Sequence, residues 1–167
     1  MATKYQSFEI GSARAVPSVT FPEMAEAGSN IGVFSLKFDA TTDEACQFTF
    51  DATNYGSGNL TIDIFWFADT ASSGDVVWGA AIAAITPNTD TQDIETDSWA
   101  TENTVTDSHL GTTGQRLHLA TITVSNLDSL AARDYVALRI RRLGSNGSDT
   151  MSGDAQLVRV TVSYSDT

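Results

Sequence analysis

Between Asn59 and Ile85 two apolar runs flank the polar turn Ala68-Asp69-Thr70-Ala71-Ser72-Ser73-Gly74-Asp75, and this stretch constrains the chain more than any other. On the first arm Leu60, Ile62, Ile64 and Trp66 recur at every second position, the period of a strand with one buried face. Phe65 and Phe67 make the end of that arm apolar on both faces. The second arm, from Val76 to Ile82, carries Trp78 and the small residues Gly79, Ala80 and Ala81, which let another strand or sheet approach closely. The pattern predicts a central antiparallel pair with the remaining strands laid around it.

Those strands are readable one by one. Ile31 to Phe38 places Phe34, Leu36 and Phe38 on one face; Ala45 to Ala52 does the same with Cys46, Phe48 and Phe50. Tyr135 to Leu143 alternates with Val136, Leu138 and Ile140 inward and Arg139 and Arg141 outward. The chain ends on Val158, Val160, Val162 and Tyr164 at alternate positions. Arg116 to Val124 changes phase, with Leu117 and Leu119 on one parity and Ala120, Ile122 and Val124 on the other, which predicts a bulge or burial on both sides. From Pro87 to Asp107 the chain is polar, either a strand with wide loops or a surface excursion pinned by Trp99. Ser125 to Ala132 reads as a loop or short helical turn, and GSNGSDTMSGD as a turn.

Residues 1–30 form an N-terminal strand or arm, with one strand around Phe8 and a short helical turn from Pro22 stopped by Gly28. The segment either hugs the surface or, with Phe21, reaches onto a neighbouring subunit. Residues 31–167 form the main domain. Eight or nine short strands without a long helix predict an all-β fold, an antiparallel two-sheet sandwich of the jelly-roll type, with an immunoglobulin-like sandwich as the alternative.

Charge narrows the partners. A formal net charge of −12 over 167 residues argues against free nucleic acid and against an anionic membrane. No signal peptide or membrane-spanning run is visible. Cys46 is the single cysteine, in an alternating apolar run where a buried structural thiol is expected and no disulfide is possible.

Chemical motifs are sparse. His109 and His118 are the only histidines, without the spacing of a metal site, and His118 reads as an outward strand residue between Leu117 and Leu119. Asp90, Asp93, Glu95 and Asp97 crowd one loop, but the mid-loop glycine and later glutamate of a calcium-binding EF-hand are missing; a solvated loop or weak Ca²⁺ or Mg²⁺ binding remain the two readings. Gly56-Ser57-Gly58 is a turn without a supporting histidine or acid. No catalytic residue, cofactor or specific metal is therefore assigned, and the chain reads as a non-enzyme.

The charges are unevenly spread. Thirteen acids and no Lys or Arg lie between Phe38 and Gln115, whereas Arg133, Arg139, Arg141, Arg142 and Arg159 fall within the last thirty-five positions. One acidic flank and one arginine stripe (Arg139, Arg141, with Arg159 if its strand is adjacent) would let copies pair head to side around an axis. Local pairing of those arginines with nearby acids explains the pattern equally well.

Leu127 to Arg142, then Asp149-Thr150-Met151-Ser152-Gly153-Asp154-Ala155 and the alternating valines, together with Ser73-Gly74-Asp75-Val76-Val77-Trp78 after an aromatic strand, resemble a β-sandwich module of tailed-phage virion proteins, including those of cyanophages. The resemblance covers roughly residues 58–164. It implies a structural protein, most simply a capsid decoration (cement) protein on the outer surface of the virion. That role would make it a homotrimer bridging capsomers, bound to the major capsid protein, with stand-alone length favouring cement over a fibre. The candidate interface residues are Arg139, Arg141, Arg159, Trp99 and Phe21. The alternative is a tail-fibre, receptor- or glycan-binding module, resting on Trp66, Trp78 and Trp99, since exposed tryptophans stack on sugars while the alternation puts Trp66 in the core. A hydrolase built from scattered carboxylates ranks third and needs an acid pair converging in a cleft.

Overall fold

The computed structural model describes residues 2–166. Alternation of apolar and polar residues becomes strand after strand: β1 (Thr3–Glu9), β2 (Arg14–Ala15), β3 (Glu23–Ala27), β4 (Val33–Phe38), β5 (Asp43–Asp51), β6 (Leu60–Ala68), β7 (Asp75–Ile85), β8 (Asn103–Ser108), β9 (His118–Val124), β10 (Tyr135–Leu143) and β11 (Ala155–Ser165). A 3-10 turn over Ile10–Ser12 is the only helical element among the described residues.

The strands from β4 onward make two antiparallel sheets. The first runs β4-β11-β6-β9 and the second β5-β10-β7-β8. Apart from β7 and β8, which pair with each other, successive strands cross from sheet to sheet, and this is the jelly roll that the strand count predicts. The three N-terminal strands extend it: β3 pairs with β4, β1 with β11 and β2 with β5. Residues 23–27, expected in a helical turn, are therefore strand β3. Glu23–Ala27 pairs residue by residue with β4, and this edge pairing prevails over the weak helix signal from Pro22.

The expected central hairpin does not form. β6 pairs with β11 and β9, β7 with β10 and β8, so the two arms lie in different sheets. They face one another across the core, with the Trp66 and Trp78 rings 6.2 Å apart. Each inner face bears an aromatic, and burying both against each other removes more apolar surface from water than edge pairing would. Gly74 makes the crossing possible: its φ is +100°, and a Cβ there would sit 2.7 Å from the Met151 backbone.

The core is filled from both sheets by Leu36, Phe38, Phe48, Ile62, Ile64, Ile82, Leu138 and Ile140, all essentially inaccessible. Phe8 of β1 stacks on Phe48, and Phe38 meets Trp78 edge-on, each at 5.3 Å. Cys46 is fully buried, and burial pushes its thiol well above the ordinary value. β9 alternates without interruption: Leu117 and Leu119 are simply exposed, and no bulge is needed. The bulge instead falls in β11 between Leu157 and Arg159, so Leu157 takes the inward position that the valine pattern gives to Val158.

Candidate functional site

The inward residues of the second sheet fill the core, so its outer face is what the chain can present. Along the middle of β7 that face carries Gly79, Ala81 and Ala83, between Val77 and Ile85, and on β10 it carries Tyr135, Ala137, Arg139 and Arg141. Such small residues make a flat floor. Residues 86–102, between β7 and β8, fold back over it. Their end is tied to the β7 edge by the Ala100 N–H donating to the Ile82 carbonyl at 2.9 Å.

Glu102 lies directly above Gly79, where a Cβ would come within 2.7 Å of its carboxyl carbon. Its two oxygens each accept from an arginine: Arg139 Nη2 at 3.2 Å and Arg141 Nη1 at 3.2 Å. Arg141 Nη2 also donates to Asp43 at 3.0 Å. Burial pulls the Arg139 guanidinium below its ordinary value and Glu102 pulls it back, which keeps it paired and charged. Above Arg139 sits the Trp99 ring, with the guanidinium carbon 5.0 Å from its centroid. One face of the indole is thus spoken for, and the residue remains partly exposed.

Beyond Trp99 the excursion stands off the floor and leaves a cleft of about 500 Å³. Trp99 and Tyr135, the latter 40% exposed, are its aromatic walls, Ala83 and Ala137 its floor, and Gln47, Glu95, Thr96 and Asp97 its polar rim. One Asp97 carboxylate oxygen accepts from the Ser98 N–H, and the other is buried with no partner among the described residues. A second hollow of about 360 Å³ opens on the other side of Tyr135, bordered by Thr49, Asp51, Pro87 and Arg133.

The residues expected at an interface are dispersed. Arg139 and Arg141 share a face but are consumed internally by Glu102 and Asp43. Arg159 is on the other sheet, its guanidinium 4.3 Å over the Phe65 ring, so it cannot extend their stripe. Phe21 is half-buried against the core. Of the three tryptophans, Trp66 and Trp78 are completely buried and only Trp99 reaches solvent.

Both histidines are buried, which overturns the outward placement of His118. The His118 ring stacks on Trp66 at 4.4 Å and lies 4.6 Å from His109. Its Nε2 accepts the Leu110 N–H at 3.0 Å; His109 Nδ1 accepts the Gly111 N–H at 3.0 Å while its Nε2 donates to the Gly114 carbonyl at 2.9 Å. These bonds pin the 109–118 loop. Burial, then the neighbouring His109, hold His118 below its ordinary value; the Asp107 carboxylate and a poorly aligned Arg116 backbone carbonyl pull the other way. Among the described residues no three His, Cys, Asp or Glu side chains converge as a ligand set, and Asp90, Asp93 and Asp97 of the 88–98 loop each accept a nearby backbone N–H instead. The acids that line the cleft among the described residues are Glu95 and Asp97, two positions apart on one loop.

Comparison with known proteins gives little beyond architecture. No family model matches the chain, and no curated protein is significantly similar to it. Among solved structures it is similar to a carbohydrate-binding module specific for non-crystalline cellulose, CBM28, at 12% identity and a TM-score of 0.49, over 90% of this chain and 84% of that one. It is also similar to the CBM36-1 domain of a multidomain xylanase from the hindgut metagenome of Trinervitermes trinervoides (7% identity, TM-score 0.49, 98% and 100% covered). A third is the K1 cleaved adhesin domain of Lys-gingipain from Porphyromonas gingivalis W83 (16% identity, TM-score 0.45, 99% of both chains). At these identities and scores the likeness says nothing about ligands.

Proposed function

We propose that this chain is a non-catalytic glycan-binding β-sandwich module whose site is the cleft on the outer face of the second sheet. The observation that carries the reading is the pairing of two partly exposed aromatic walls, Trp99 and Tyr135, over an alanine floor with amide and carboxylate groups at the rim. A pyranose ring has an apolar C–H face and a polar edge of hydroxyls. Aromatic side chains accept the first, while Gln47, Glu95 and Thr96 at the rim match the second. The Arg139–Glu102 pair holds Trp99 in place, so little ordering is required on binding.

A glycan array followed by calorimetry on the best ligand tests this. Trp99→Ala and Tyr135→Ala should each weaken binding by about tenfold or more, the effect of losing a contact worth somewhat over 1 kcal/mol. Unchanged circular dichroism would show the fold intact. A wild-type protein that retains no glycan at millimolar concentration, or binding indifferent to both substitutions, would refute the reading.

Decoration of a phage head is the second reading. The observation on its side is an apolar patch on the outer face of the first sheet, including Leu117 and Leu119, which a solitary chain leaves in water. Binding of the purified protein to isolated heads would support it, and its absence there would dismiss it.

A further inference from the structure

That patch is a groove of about 350 Å³ between the turn carrying Gly28 and Ile31 and the start of β9. Ile31, Val33, Phe67, Leu117 and Val158 line it, with Ile31 77% and Leu117 60% exposed. Two cations flank it: Arg116, next to Leu117, and Arg159, next to Val158 and stacked on Phe65. Unlike Lys37, Arg139, Arg141 and Arg142, neither has a carboxylate within ion-pairing distance among the described residues.

A matching surface exists on the same chain but on the opposite side. The turn at the tip of the 86–102 excursion, closed by the Thr96 N–H donating to the Asp93 carbonyl at 3.0 Å, presents Ile94 at 62% exposure between Asp93 and Glu95. It is an apolar knob between two carboxylates; the groove is an apolar slot beside two guanidinium groups that have no carboxylate partner among the described residues, Arg116 donating instead to the Leu110 carbonyl at 3.4 Å. The knob belongs to the outer face of the second sheet and the groove to that of the first, so no chain can seat its own knob in its own groove.

We propose that the groove receives the Ile94 turn of a second copy of this chain, with Asp93 and Glu95 of one copy facing Arg116 and Arg159 of the next. Exposed ion pairs add little affinity, so the apolar seat carries the contact and the charges set its orientation. Because the two surfaces differ, the contact is heterologous: it closes into a ring if the rotation permits and otherwise continues as a filament. Ile94 and Glu95 also line the cleft, so a seated neighbour and a bound glycan would share that edge of the excursion.

Sedimentation velocity on the purified chain over a range of concentrations, with two exposed-site variants, tests the proposal. The wild-type mass should rise with concentration. Ile94→Asp removes the knob and Leu117→Asp the groove, and each alone should sediment as a monomer with an unchanged circular dichroism spectrum. An equimolar mixture of the two should give a two-chain species and nothing larger, because one variant retains the groove and the other the knob. A wild type that stays monomeric at every concentration, variants that still associate, or a mixture that forms no two-chain species would overturn it.

Discussion

The only ion pair with both side chains fully withdrawn from solvent among the described residues is Arg142 with Asp149. Parity on β10 sends Arg142 inward with Leu138 and Ile140, into a place where a charge is tolerable only if every donor is used. It is: Nε and Nη2 donate to the two Asp149 oxygens at 3.0 and 2.7 Å, Nη1 to the carbonyls of Phe38 and Gly153, and Nη2 also to that of Met151. Asp149 in turn accepts the Val77 N–H at 3.0 Å. The pair thus ties the 144–154 loop to β4, β7 and β10 at one end of the sandwich.

Asp149→Asn retains the shape and removes the charge, leaving a buried guanidinium uncompensated, at a cost of about 3–5 kcal/mol. Unfolding entropy near 60 °C is about 2.1 cal/mol/K per residue, so roughly 350 cal/mol/K for this chain, and the melting temperature should fall by about 9–14 °C. The double variant Arg142→Met/Asp149→Leu separates charge from backbone satisfaction. Apolar replacement of a buried pair is often neutral, but here three carbonyls and one N–H lose their partners, at about 1–3 kcal/mol each. The double variant should therefore recover nothing. Thermal and urea unfolding followed by tryptophan fluorescence give both values. A loss under about 1 kcal/mol for Asp149→Asn, or wild-type stability in the double variant, would refute this account.

Two further perturbations probe the loop and the cleft. His118 binds a proton less readily in the folded chain than at its ordinary value of 6.5, so the unfolded state takes up more protons just below that pH. Stability should be flat in this contribution above 6.5 and fall on acidification below it; His118→Gln should lose that portion of the slope in melting curves between about pH 5 and 7, and identical profiles would count against it. Gly79→Ala should push Glu102 off Arg139 and Arg141, cost about 1–3 kcal/mol, and shift Trp99 emission to the red as its cover loosens, whereas unaltered emission would show that Glu102 does not hold the ring.

The strands were legible because alternation reports burial one residue at a time: β5 and β10 lie where Phe48 and Leu138 put them. Partnering was not, because a period of two fixes which side chains face inward and says nothing about which strand lies alongside. β6 and β7 look like a hairpin for that reason, and the two buried tryptophans that divide them between sheets become informative only once the layers exist. His118 was hidden by its type. A histidine between two leucines reads as polar and outward, yet the leucines are the exposed pair, since Trp66 offers the ring a stacking surface and Leu110 an N–H. Of the cleft, Trp99 was visible as a lone aromatic in a polar stretch. Asp97 was visible only as one acid of a possible cation loop, and Tyr135 and Gln47 were not visible at all, although Tyr135 stands on the outward parity of β10, where a large aromatic has no core to enter.

The two outer faces of the sandwich show why the cleft falls where it does. An outer strand face left to water is ordinarily polar, as β9 is at Thr121 and Thr123. β7 and its neighbour β10 instead place Gly79, Ala81, Ala83 and Ala137 there, side chains too short to solvate or shield the sheet by themselves. Such a floor calls for a cover, and residues 86–102 supply one. At the β8 end the cover is complete: Glu102 rests on Gly79, the two arginines close around it, and Ala81 is buried. Towards Tyr135 the excursion lifts away, and Ala83 and Ala137 floor a space instead of meeting a side chain. The cleft is therefore the part of a small-residue floor that its cover does not reach, and its aromatic wall is fixed by the ion pairs of the part that it does. Shape set in this way precedes any ligand, the condition under which a stacking site binds without first having to be ordered.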